Sequence, residues 1–74
     1  MITVKLNTKE VRLPCDTKIV SIVEMLRNDE SYTFIKADNY MVIINGRMIP
    51  FEDYESFKLN DGDLIYVTPE SVGG

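Results

Sequence analysis

The sequence predicts an α+β domain, a mixed sheet of four to five strands with one main helix packed on one face. Three observations carry that expectation. Apolar residues alternate at the start of the chain, a stretch of helical period follows, and an Asn-Gly signal then separates two further apolar runs.

Ile2, Val4 and Leu6 alternate with Thr3 and Lys5, the period of a half-buried strand. Val11 and Leu13 alternate likewise with Glu10 and Arg12, and the short polar Asn7-Thr8-Lys9 between the runs makes them a hairpin. Pro14 has no N–H for a ladder and ends the second strand. The period then changes. Ile19, Ile22, Val23 and Leu26 stand at i, i+3, i+4 and i+7, one face of an amphipathic helix. Asp16 or Thr17 is expected to cap it by accepting a bond from a free first-turn N–H, and Arg27 suits its C-terminal end. From Asn28 to Asn39 the pattern breaks into a loop whose aromatics pack back on the core, with a short extended piece around Thr33–Lys36. Met41–Ile44 is a continuous apolar run, as expected of a strand covered on both faces. Asn45-Gly46 follows, both residues tolerant of positive φ, and Arg47–Ile49 is the return strand, closed by Pro50. Asp53–Phe57 fits one helical turn, Asn60-Asp61-Gly62-Asp63 a tight turn, and Leu64–Thr68 the last strand. Residues 69–74 lack any apolar period and read as a tail ending in Gly-Gly, on a domain of residues 1–68. The order β-β-α-β-(β)-β is that of a β-grasp, or ubiquitin-like, fold.

Composition narrows the function. At 74 residues, against roughly 150 per domain, one domain with one core is expected. A chain this short buries only about 60% of its unfolded surface, which leaves no room for a deep active site. Twelve acids against 8 bases give a net charge of −4, the wrong sign for a nucleic-acid binder. Histidine is absent, and Cys15 is the single cysteine. That excludes Ser-His-Asp and Cys-His catalysis and an internal disulfide, and nearly excludes a structural zinc site. A cytoplasmic location is expected from this cysteine usage, with no signal peptide at the start and no run long enough to span a membrane.

Gly46 and Gly62 sit in turns and cannot build a phosphate-cradling loop. Gly73 and Gly74 end the sequence. With Gly at about 7% of residues, such a pair at the last two positions is about a 0.5% event by chance. A terminal Gly-Gly gives a carboxylate with no side chain beside it, on a lead-in thin enough to thread a narrow channel into another enzyme. The alternative is a frayed terminus. Glu52, Asp53 and Glu55 cluster, and Asp61 and Asp63 flank Gly62, but neither group has calcium-loop spacing; solvated turn acids are expected. Cys15 has no histidine to activate it and reads as a small packing residue. Tyr32, Phe34, Tyr40, Phe51, Tyr54 and Phe57 read as core and rim packing, because a base-stacking surface does not suit an acidic chain. Tyr66 and Val72, the apolar residues nearest the tail, are the expected docking positions.

The stretch Val42-Ile43-Ile44-Asn45-Gly46-Arg47-Met48-Ile49-Pro50, then Leu59-Asn60-Asp61-Gly62-Asp63, then Val72-Gly73-Gly74, resembles the ThiS family. These are sulfur carriers of thiamine biosynthesis, similar in fold to the molybdopterin-synthase small subunit (MoaD) and to ubiquitin. The Asn28–Tyr40 connection is longer than is usual in that family. The resemblance implies a carrier and not an enzyme, with no bound cofactor and no metal. A ThiF-like adenylyltransferase of the ubiquitin-activating type would spend ATP to adenylate the terminal carboxylate, here that of Gly74. A sulfur donor such as a cysteine desulfurase relay would then replace AMP, leaving a thiocarboxylate whose sulfur a ThiG-like thiazole synthase consumes. Gly73 would keep the approach slender, and Pro69 would stiffen the root of the tail. Three rivals share parts of this pattern: a MoaD-type carrier for molybdopterin, a ubiquitin-like modifier, and a TGS-like regulatory module that binds nucleotide or RNA. The Asn45-Gly46 to Pro50 stretch favours the thiamine carrier over the first.

Overall fold

Five strands form one mixed sheet in a computed structural model that describes residues 1–70. They are β1 (Ile2–Leu6), β2 (Lys9–Leu13), β3 (Tyr40–Ile44), β4 (Arg47–Ile49) and β5 (Leu64–Pro69), in the order β2-β1-β5-β3-β4. β1 pairs antiparallel with β2 and parallel with β5, while β3 pairs antiparallel with both β4 and β5. β5 is thus the central strand, and it leads out toward the tail. This is the β-grasp arrangement.

Period 2 in the strands and period 3.6 in the helix meet on one side of the sheet. Val4, Leu6, Val42, Ile44, Ile49, Ile65 and Val67 point to that side, and α1 (Ile19–Arg27) adds Ile19, Ile22, Val23 and Leu26 to the same core. The helix face is the one its spacing predicts. Its start is different. Lys18 occupies the capping position with an extended backbone and makes no side-chain cap bond, so neither Asp16 nor Thr17 serves. The Thr17 hydroxyl instead donates 2.7 Å back to the Pro14 carbonyl, closing the turn that leaves β2. One first-turn donor is satisfied from a distance, by Val20 N–H to the Tyr54 carbonyl at 3.4 Å.

Two further expectations need correction. Thr33–Lys36 is not extended but forms the single helical turn α2, after a 3₁₀ turn over Glu30–Tyr32. The Asp29 carboxylate starts this segment by accepting from Ser31 N–H at 2.9 Å, and Ile35 is driven fully into the core. β-Branched and aromatic residues here suggested a strand, but local capping and one buried anchor decide the conformation. Tyr32 and Phe34 do pack against the core, edge to face at 5.9 Å. The Met41–Ile44 run is covered on one face only: Val42 and Ile44 are buried, whereas Met41 and Ile43 are half-buried on the open face. The expected turn at Asp53–Phe57 is present, closed by Phe57 N–H to the Asp53 carbonyl at 2.8 Å.

Candidate functional site

β5 is held by two asparagines from two different hairpin turns. Asn7 and Asn45 both lie in the left-handed region, with φ of 49° and 52°. Asn7 side-chain Nδ2 donates to the Val67 carbonyl at 3.0 Å while its Oδ1 accepts from Val67 N–H at 2.8 Å. It therefore completes the β1–β5 pairing beyond the two registered residue pairs, Lys5 with Leu64 and Leu6 with Ile65. Asn45 does the same at the start of β5. Its Oδ1 accepts from Leu64 N–H at 3.0 Å, and its own N–H donates to the Leu64 carbonyl at 2.9 Å.

The acids beside Gly62 belong to this clamp. Asp63 is 7% exposed, which corrects the expectation of a solvated turn residue. Its carboxylate accepts from Asn45 Nδ2 at 3.0 Å and from Asn60 N–H at 2.8 Å, tying the last turn to the β3–β4 turn. A buried carboxylate persists only with such partners. Asp61 Oδ1 accepts from Thr3 N–H at 2.7 Å, fixing the same turn to β1. Gly62 stands at φ +89°, a conformation that side chains resist. At the far end, Glu70 N–H donates to the Asn39 carbonyl at 3.2 Å. β5 is therefore held by neighbouring segments from Leu64 to its end, with Glu70 bonded just beyond it.

The open face of the sheet divides in two. On the β1–β2 half it presents Lys5, Glu10 and Arg12, with Lys5 opposite Glu10. On the other half it presents Tyr66 (40% exposed), Leu64 (44%) and Met48 (63%), around the half-buried Ile43. Ile43 stands opposite both Tyr66 and Met48. These side chains form an apolar patch on the open face, a feature that in general accompanies partner binding. Tyr66, an expected docking position, lies in this patch. Leu64, Ile43 and Met48 were not expected there, although the Asn45-Gly46 register already puts Met48 across from Ile43. Val72, Gly73 and Gly74 lie outside the described residues.

One other expectation fails. Cys15 is exposed, because the Pro14 turn carries it off the sheet before α1 begins; it borders a shallow hollow with Lys18, Ser56 and Lys58. Phe51 is 75% exposed and sits at the rim, its ring edge to face with the buried Tyr54. Burial raises the hydroxyl pKa of Tyr54, and more mildly surrounded Tyr40 shifts the same way for the same reason.

A β-grasp domain with an open apolar sheet face and a rigidly clamped exit strand belongs to the ubiquitin-like class of small proteins. The sequence model of the ThiS family matches residues 3–74, and the chain belongs to that family. Its members are small sulfur carrier proteins and not themselves enzymes. A solved structure, that of thiamine biosynthesis protein (ThiS) from Geobacter metallireducens, has a similar fold. The TM-score is 0.74 at 17% identity, over 99% of this chain and 100% of that one. None of the curated proteins matches the chain. Among the described residues no helix is long and apolar enough to cross a membrane.

Proposed function

We propose that this chain carries sulfur for thiamine biosynthesis on the terminal carboxylate of Gly74. The observation that carries the reading is a family match that runs through the whole domain and includes Gly73-Gly74. A ThiF-like adenylyltransferase uses ATP to form the acyl-adenylate of Gly74, and pyrophosphate leaves. A persulfide from a donor such as a cysteine desulfurase relay then displaces AMP to give an acyl disulfide, and a thiol cleaves its S–S bond, releasing the thiocarboxylate and leaving a disulfide on the donor side. A ThiG-like thiazole synthase takes that sulfur. The proposed site is in the cytoplasm, with these enzymes.

No step needs a catalytic side chain or a cofactor on the carrier, so its own tasks are docking and aim. The Tyr66 patch supplies a surface for the partner, and the Asn7 and Asn45 clamp fixes where the tail starts. Gly73 keeps the approach to the partner's active site free of a side chain. Incubation with a ThiF-type enzyme, ATP and a sulfur donor should exchange one oxygen for one sulfur, mapped to the C-terminal peptide. Deleting Gly74 should abolish the exchange and leave the fold unchanged. Equal rescue of a thiamine-requiring strain by the Gly74-deleted and intact proteins would contradict the proposal.

A further inference from the structure

On the helix side of the sheet, at the root of the tail, three aromatic rings and an acid surround an open cleft of about 420 Å³. Phe51 and Tyr54 meet edge to face at 5.3 Å, and Tyr54 and Tyr40 lie 6.4 Å apart. Asp38 completes the lining. Tyr54 belongs to the core, but Phe51 is left 75% exposed. Tyr40 is paired with Pro69 in the sheet, so the cleft opens beside the point where β5 ends.

Acids outnumber bases around these rings. Among charged groups Arg27 acts most strongly on Tyr40, followed by Asp38 and Glu24, and Glu70 acts on Tyr54. The cation near them is Arg27, and it is already shared between Glu24 at 3.4 Å and Asp38 at 3.3 Å. Glu52 and Asp53, exposed beside Phe51, add to the negative field. An apolar occupant would strip water from these carboxylates without replacing it. A planar cation meets both demands, stacking on an aromatic face while its edge donates to a carboxylate.

We propose that this cleft takes the guanidinium of an arginine side chain on the protein that receives the tail. The identity of that partner rests on the carrier reading; the chemistry of the cleft does not. Tyr66 lies on the opposite face of the sheet, so a partner that also inserts an arginine here grips the exit strand from both sides.

The test needs no enzyme. The ¹⁵N-labelled chain is titrated with N-acetyl-L-arginine amide and, separately, with the neutral isostere N-acetyl-L-citrulline amide at constant ionic strength. The arginine probe should saturate with amide shifts confined to Asp38, Tyr40, residues 51–54 and Glu70, and the citrulline probe should shift none of them. Phe51→Ala, which removes an exposed ring and leaves the core alone, should weaken the arginine probe by about 5-fold, the equivalent of one cation–π contact. Equal shifts from the citrulline probe, or shifts scattered to Glu10 and Asp61 and unaffected by Phe51→Ala, would overturn the proposal. A chain that binds the arginine probe but never accepts sulfur would refute the carrier reading alone. One that accepts sulfur but ignores the probe would refute the cleft alone.

Discussion

The two faces of β5 both carry large apolar side chains and do different work. Ile65 and Val67, each 1% exposed, lie in the core, while Leu64 and Tyr66 alternate with them and face outward. Burying the outward pair would stabilise the domain, since each large side chain withdrawn from water contributes about 1.5–3 kcal/mol. The fold leaves that gain unused on the strand that leads to the tail. On the β1–β2 half of the same open face, Lys5, Glu10 and Arg12 keep the surface solvated. The contrast separates residues that make the fold from residues that the fold leaves exposed, which the carrier reading assigns to a partner.

Substitutions on the inner face should give the largest effect on stability. Ile65→Ala should cost about 2–5 kcal/mol in a urea titration, by lost burial and the cavity left behind. A loss well under that range would mean that the helix side of β5 is not the core. Asn7→Ala comes next. It leaves Val67 N–H and C=O without their side-chain partner, at about 1–3 kcal/mol, and it should also raise hydrogen exchange at Val67. Unchanged exchange there would show that β5 is held by its neighbours and not by the asparagine.

High pH offers a smaller and reversible probe of the inner side. Folding raises the Tyr54 hydroxyl pKa above its ordinary 10.0, chiefly by burial. A raised pKa means that the folded state favours the neutral phenol. Its contribution is complete below pH 10 and is lost as pH rises through the folded value. The urea midpoint should therefore fall above pH 10, and Tyr54→Phe should soften that fall. A decline of the same steepness in Tyr54→Phe would assign it to other groups.

Much of this was legible from residue spacing. Ile19, Ile22, Val23 and Leu26 name the helix face, and Asn45-Gly46 fixes the β3–β4 hairpin and its register. The parts that were not legible depend on contacts distant in sequence. Asn7 reads as an ordinary turn residue until β5, 60 positions later, is laid beside it. Asp63 reads as solvated until Asn45 and Asn60 close over it. The apolar run at Met41–Ile44 cannot show by itself that only one of its faces has a layer above it. Phe51 and Tyr54 differ by three positions and look alike in composition, yet the turn between them buries one ring and exposes the other.

The central claim is that the outer face of β5 serves docking and contributes little to folding, and Tyr66 tests it most directly. Tyr66→Ser should change stability by no more than about 0.5 kcal/mol, as exposed positions do. The same protein should be loaded with sulfur by a ThiF-type enzyme at a kcat/KM reduced about tenfold or more, the loss expected for an aromatic anchor worth over 1 kcal/mol. Unchanged loading, or a loss that simply follows a fall in stability, would contradict the account.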